Sequence, residues 1–548
     1  MQKQSLRIFP MILVLCLLFG CSSEKKDVSS DNPSSSSASS GSSASGEISL
    51  AFVENDSLSP YEAKTKSNQE LAGLVYDGLI KLDENFEPVY VLADKISFSG
   101  SSCTVQIKSG ARFTDGTPVT AEDAEYSLAK AREATELKYA AGLAHVSSVS
   151  ASGSTLTITL AHEDAYFVNL LDFPIFKKGT DSRQNSDKKS VPPVGSGRYE
   201  FFADGGEYHL EANADWIGGN VGIARIRLVN LPDADAVAHA ISVGKIDVYY
   251  SDLSDNAFPS MKGTSVPVVT SNLVYLGASS SGIMKNQNIR QAVSLAIDRS
   301  DVVSSVYFES ATAAKGPYHS HIKSVAGLQT IADRKNIDAA LESLSLSGYH
   351  NKDGDGYYTN NAGRIRLKII YYAGSNAKKL LADKLVAYLK AVGIEAVPEG
   401  LEWDVYQSYI KNGYYDLYIG EIKIPANLDI FSLITAGGLL SGKPVNSDAP
   451  AVSEAPSETA DSEPAEADAD TVSSEPAAEN GIAAELAISN FHEGKGSITE
   501  VLSCLNEQLP VIPICHRSGV VIYSSRISGG LTPVAGDPFY GIENCKIS

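Results

Sequence analysis

The chain has 548 residues and a formal net charge of −21, which is too long for one simple core and points to two or three compact units. Hydrophobic residues make up 43% of it, an ordinary globular share. The charge argues against nucleic acid as a partner, because phosphates need Lys and Arg.

Lys3 and Arg7 precede the apolar run 8–19, which is too short for a comfortable membrane-spanning helix and fits a secretory signal. It ends in Leu18-Phe19-Gly20-Cys21. These residues resemble a lipobox, with a small residue and a cysteine where lipoprotein processing cuts and attaches diacylglycerol. Residues 1–20 are therefore expected to be a lipoprotein signal peptide and Cys21 the lipidation site. The protein would then be anchored on the cell membrane through its acyl chains, facing the extracellular or periplasmic side. Residues 21–46 are the lipidated Cys and a Ser-rich tract that buries too little apolar surface to order itself and reads as a tether.

Order begins near Glu47. Residues 48–52 alternate as a strand, and 67–82 read as a helix with Leu71, Leu74, Val75 and Leu79 turned inward. Cys103, Val105 and Ile107 alternate with polar residues, Asp115-Gly116 supplies a turn, and Thr120 with Asp123 forms a capping box. A helix is predicted from there, with Ala124, Leu128 and Ala131 on its apolar face. TLTITL at 155–160 is another alternating strand. In Pro193-Val194-Gly195-Ser196-Gly197-Arg198-Tyr199 two close glycines imply a tight turn or a near backbone neighbour. Residues 363–397 give a strand, an amphipathic helix stopped by Gly393 and a second strand, a βαβ unit that requires a parallel pair. From 446 to 480 the composition turns to Ala, Ser, Pro and Glu with ten acids and no base, and this stretch is expected to be a disordered acidic insertion.

The wording of 113–131, FTDGTPVTAEDAEYSLAKA, resembles the signature of the family-5 extracellular solute-binding proteins, the oligopeptide, dipeptide and nickel receptors of bacterial ABC transporters. Leu74-Val75-Tyr76-Asp77-Gly78-Leu79, the 193–199 segment and the helix Ile289-Arg290-Gln291-Ala292-Val293-Ser294-Leu295-Ala296-Ile297-Asp298-Arg299 are similar to further family motifs, in the expected order. The resemblance implies an α/β, bilobal, periplasmic-binding-protein type II-like fold, two lobes with mixed sheets joined by a two-segment hinge. The first lobe is expected over 47–277 plus about 512–548, with 78–190 as an inserted subdomain. The second lobe is expected over 278–511, carrying the 446–480 insertion. The implied role is capture of a peptide or peptide-like solute between the lobes and delivery to an ABC permease and its ATPase by a monomeric receptor. The alternatives are a receptor for a nickel or metal chelate or another small solute, a transport-independent sensor and, further off, an extracellular enzyme.

No enzyme motif is found, and neither a catalytic residue, a metal ligand set nor a cofactor is expected. Asn351-Lys352-Asp353-Gly354-Asp355-Gly356 has part of a calcium-loop pattern but Ala362 where a bidentate Glu is needed, so it reads as a turn. His319-Ser320-His321 lacks a supporting Cys or carboxylate. Beyond Cys21, four cysteines remain (Cys103, Cys504, Cys515, Cys545), and their pairing is left open.

The residues expected to line the cleft are Tyr275, Ser279, Trp403, Tyr418, Glu421 and Lys423. In peptide receptors of the family an Asp soon after the Tyr-Asp-Leu motif pairs the ligand's amino terminus. Here Tyr415-Asp416-Leu417 is present, but Ile424 falls at that position. Either Glu421 takes the role, or the ligand is not a peptide with a free amino terminus.

Overall fold

The computed structural model describes residues 46–135, 137–184, 191–204, 206–253, 263–433 and 482–548. The expected signal peptide, Cys21, the tether up to residue 45 and the acidic 446–480 segment lie outside them. Among the described residues no helix is long and apolar enough to cross a membrane.

Two long strands organise the fold. Thr264–Ala278 and Val511–Tyr523 run antiparallel over their whole length, from Thr264 opposite Tyr523 to Gly277 opposite Val511. At one end Val268, Val521 and Tyr523 join a core that includes Ile48, Leu50 and Tyr199. At the other, Val274, Leu276, Ile512 and Ile514 join a core built with Leu381, Leu385 and Ile365. The register slips between Val268 and Asn272, where the Thr270 hydroxyl donates to the Arg517 carbonyl at 2.5 Å. The pair is thus the two-segment connection between lobes, and its irregularity lies where the two cores part.

In the first lobe, Glu47–Phe52 pairs parallel with Arg225–Asn230, followed in the sheet by Glu207–Ala212 and Tyr199–Asp204. Gly195 and Gly197 press on the end of the helix Lys66–Val75: a Cβ on them would meet the Val75 backbone at 2.1 and 2.5 Å. That helix stops at Val75, short of the expected 82, although the apolar spacing continues. Tertiary contacts end it, because Asp77 is wholly buried and accepts the Trp216 indole N–H at 2.8 Å. Residues 80–82 instead form a short strand.

A separate antiparallel sheet is formed by Ala93–Ser99, Ser102–Ile107, Thr155–Leu160 and Val146–Ser152. Helix Ala121–Glu133 lies on it through Ala124, Leu128 and Ala131, and its expected capping box is formed reciprocally by Thr120 and Asp123.

The second lobe extends the hinge sheet. Leu417–Lys423 pairs antiparallel with the first hinge strand, and Arg366–Tyr372 and Glu395–Leu401 continue it in parallel. Helix Asn376–Ala391 connects these last two and chain reversal follows at Gly393, φ 76°. Two buried arginines of the family-like 289–299 segment hold it to the chain leading into and along the second hinge strand: Arg290 Nε donates to the carbonyl of Gln508, the last residue of the helix Ile498–Gln508, at 2.7 Å, and Arg299 Nε to the Pro513 carbonyl in the strand at 2.8 Å. All four remaining cysteines are free thiols.

Candidate functional site

The strand Leu417–Lys423 feeds a short segment that touches both sides of the cleft. Ile424 is buried and locked to the hinge, its N–H donating to the Ser271 carbonyl at 3.1 Å and its carbonyl accepting from the Ser271 hydroxyl at 2.8 Å. Two residues on, the Ala426 carbonyl accepts from Asn169 Nδ2 at 3.1 Å, and Asn427 Nδ2 donates to Asp164 at 3.0 Å. Asp164 and Asn169 follow the strand Thr155–Leu160 in the chain. Leu428 has a left-handed backbone, φ 64°, uncommon for a residue with a branched side chain. The Tyr318 hydroxyl donates to its carbonyl at 2.8 Å and helps hold it there.

Beside this segment lies a cavity of about 350 Å³, with Leu82, Phe86, Tyr139 and Leu170 on one wall and Ile424, Ala426 and Leu428 on the other. Its size is within the usual range for small-molecule sites, mostly apolar walls with a few polar groups. Two ammonium groups face it, Lys138 and Lys423. Lys138 is held by Asp172 at 2.5 Å, and although burial works against its charge that carboxylate raises its pKa. Lys423 has no carboxylate within ion-pair distance among the described residues. Its side chain is exposed to water at the mouth of the cavity. Burial first, then repulsion from Lys138 and Lys66, bring its pKa down to about 8, against the pull of Asp172 and Asp252. At neutral pH it is a largely charged, poorly compensated cation on an apolar wall, the arrangement that captures a carboxylate or phosphate.

Of the six residues expected in the cleft, Lys423 lines this cavity. Tyr275 and Tyr418 are instead wholly buried in the sheet, a correction with a clear cause. They lie on interior strands covered on both faces, each opposite a glycine, Tyr275 against Gly420 and Tyr418 against Gly277. A Cβ on either glycine would strike the opposing ring at 2.5 and 2.1 Å, and the two hydroxyls meet at 3.3 Å. Ser279 is buried past the far end of its strand, its N–H donating to the Asp416 carbonyl at 2.9 Å. Trp403 starts the helix Trp403–Asn412, half exposed against Tyr372 and Tyr406. Glu421 accepts from Arg517 Nη1 at 2.8 Å and has Lys378 Nζ at 3.7 Å, so its charge is already matched.

The other motifs also find structural roles. Arg364 takes both acids of the 351–356 segment, Asp353 at 2.6 Å and Asp355 at 2.5 Å, which fixes it as a turn. His319 faces the cavity but is packed against Phe86 and His516. Burial, His516 and His321 lower its pKa to about 3, so it is neutral. Sequence reasoning missed Lys138 and Asp172, 250 or more residues from Lys423 in the chain, because nothing in their local pattern marks them.

Residues 86–432 match the family model for bacterial extracellular solute-binding proteins, family 5 middle. The oligopeptide-binding protein AppA of Bacillus subtilis (strain 168) is 24% identical over 434 residues, which covers 73% of this chain and 77% of AppA. The ABC transporter substrate-binding protein CtaP from Listeria monocytogenes has a similar structure, with a TM-score of 0.65 at 17% identity over 92% of this chain and 99% of CtaP. NikA from Brucella suis, solved with Fe(III)-EDTA, has a TM-score of 0.65 at 14% identity over 91% of this chain and 100% of NikA. These likenesses establish the two-lobed α/β fold, and the match over 86–432 establishes the lineage: the chain belongs to family 5 of the bacterial extracellular solute-binding proteins.

Proposed function

We propose that the protein is the lipid-anchored substrate-binding component of an ABC importer, that it takes a short peptide or peptide-like solute into the cavity between its lobes, and that it hands this solute to the permease. The observation that carries the reading is Lys423, an undercompensated ammonium on an apolar wall. It suits a solute with an apolar body and an anionic end such as a peptide carboxylate. The name of AppA, an oligopeptide-binding protein, supports the same class. Glu421, matched by Arg517 and Lys378, is poorly placed to anchor an amine, so recognition runs through the acidic end of the ligand. We assign the first lobe to 47–277 plus about 512–548 with 78–190 inserted, and the second to 278–511. Closure of these lobes on the solute is the signal to the permease, and Cys21 holds the receptor at the membrane.

An anionic metal chelate would also satisfy Lys423, and NikA was solved with Fe(III)-EDTA. The two readings separate in one experiment. Purified protein stripped of carried-over ligand is screened by thermal shift against peptide pools, the same pools amidated at the carboxyl terminus, and metal chelates. Stabilisation by free-acid peptides alone is the expected result. Stabilisation by chelates, with none from peptides, overturns the proposal.

A further inference from the structure

On the opposite side of the 425–429 segment from the solute cavity, Asn427 and Asp429 face a second hollow of about 450 Å³ together with His145, His162 and His492. These side chains come from four separate places. His145 ends the turn Leu143–His145, His162 follows the strand Thr155–Leu160, Asp429 lies in the cleft segment, and His492 ends the helix Ile482–His492. The first two belong to the inserted subdomain and the last two to the second lobe. We propose that His145, Asp429 and His492 bind a divalent transition-metal ion, of the Zn²⁺ or Ni²⁺ kind, which staples the inserted subdomain to the second lobe at the edge of the solute cleft.

The ligand atoms of these three residues all lie within 4.8 Å of one another. Around a tetrahedral zinc, bonds of about 2.0–2.2 Å place neighbouring ligand atoms roughly 3.4 Å apart, so rotation of side chains by about 1 Å completes the set. Two imidazoles and a carboxylate are a borderline donor set that favours zinc, nickel or cobalt over calcium or magnesium. The hollow leaves room for water or a solute group as a further ligand.

The surroundings hold these groups in place, as the supporting residues of a metal centre must. The His492 ring stacks on Phe431 with centroids 3.9 Å apart and planes 8° from parallel, and its Nδ1 meets Asp429 Oδ2 at 2.6 Å. Asp429 is fixed through its other oxygen, which accepts from the Phe431 N–H at 2.8 Å. His145 Nδ1 lies 3.0 Å from His162 Nε2, which orients the two rings; with the shared proton on His145 Nδ1, its Nε2 is left for an ion. Among the described residues no hydrogen bond uses Nε2 of His145 or of His492, whereas His162 Nδ1 lies 3.2 Å from the Glu163 carbonyl.

The test uses metal alone, with no solute, and therefore does not depend on what the cavity carries. Protein freed of metal with EDTA is titrated with ZnCl₂ and NiCl₂ by calorimetry, and amide exchange of residues 427–429 is followed with and without zinc. One equivalent should bind, and exchange should slow. H145A and H492A should each weaken zinc binding at least about tenfold and abolish the slowing, whereas H239A, at an exposed histidine elsewhere, should change neither. Thermal midpoints in EDTA check that each variant folds, and H145N serves if an alanine variant does not. No saturable binding overturns the proposal, and so does binding that the folded His145 and His492 variants retain unchanged. Binding with no slowing at 427–429 overturns the staple.

Discussion

Arg517 Nη1 donates to Glu421 Oε1 at 2.8 Å while Lys378 Nζ stands 3.7 Å from Oε2, so this carboxylate is neutralised by the protein itself. Burial lowers the pKa of Lys378, and Glu421 offsets part of that effect. In Glu421→Gln, two clustered cations lose their counter-charge. We expect a loss of about 1–3 kcal/mol in stability by denaturant titration, and equal weakening of free and N-acetylated peptides. A loss confined to free peptides would restore Glu421 as an amine anchor.

Lys423→Met should reduce affinity for free-acid peptides by tenfold or more, about the worth of one charge-assisted hydrogen bond, and leave amidated peptides nearly unchanged. The pH dependence carries a second check. With its pKa brought to about 8 by burial and by Lys138, Lys423 is charged below that value and loses its charge as pH rises through it. Affinity for carboxylate solutes should therefore fall between about pH 7.5 and 9.5, and Lys423→Arg should flatten the fall. Calorimetry across that range decides the matter; a flat wild-type profile would rule the anchor out.

Arg198 lies in the family-like segment 193–199. It is wholly buried, and its guanidinium donates to Asp537 at 2.6 Å, Glu543 at 3.1 Å and the carbonyls of Gly73 and Phe539. Arg198→Met should cost about 3–5 kcal/mol because Glu543 loses its cation and Asp537 keeps only Lys81, at 3.6 Å. Arg198→Lys should rescue little of this, since a single ammonium cannot replace the fork. Stability that matches wild type in either variant would contradict this assignment.

Glu70 is a half-buried acid with one carboxylate oxygen that is shielded from water and lacks a hydrogen-bond partner. Burial pushes its pKa from 4.5 up to about 8, with Lys66 only partly opposing, because that ammonium is 2.5 Å from Asp252. The folded state keeps a proton that the unfolded chain gives up above 4.5. This contribution to stability is full below that value and is lost as pH rises through about 8. Glu70→Gln should reduce the decline of the thermal midpoint between pH 5 and 8, and an unchanged slope would exclude the group.

The parts of this fold legible in the sequence are those whose cause is local. Thr120 and Asp123 announce the helix Ala121–Glu133, and the alternation from Cys103 to Ile107 announces its strand, because caps and periodicity act within a few residues. The extent of the first helix was not legible, since burial of Asp77 against Trp216, 139 residues away, ends it. The site was less legible still. Nothing near Glu421 foretells Arg517, 96 residues on, and the four residues around the second hollow share no pattern along the chain. Tyr275 and Tyr418 looked like ligand contacts because aromatic residues serve cores and clefts alike, and only their glycine partners across the sheet reveal which.

The sheet of the first lobe has a consequence for the order in which the molecule assembles. Glu47–Phe52 has no neighbour in its sheet until Arg225–Asn230 exists. The core around it is completed by Phe539, Ile542 and Cys545, with Arg198 reaching forward to Asp537 and Glu543. Contacts spanning most of the chain make folding slow, because the loop must close before any contact rewards it. The strand that is synthesised first is thus among the last to become secure. A chain truncated by as little as its final dozen residues should leave its beginning, as much as its end, open to proteases.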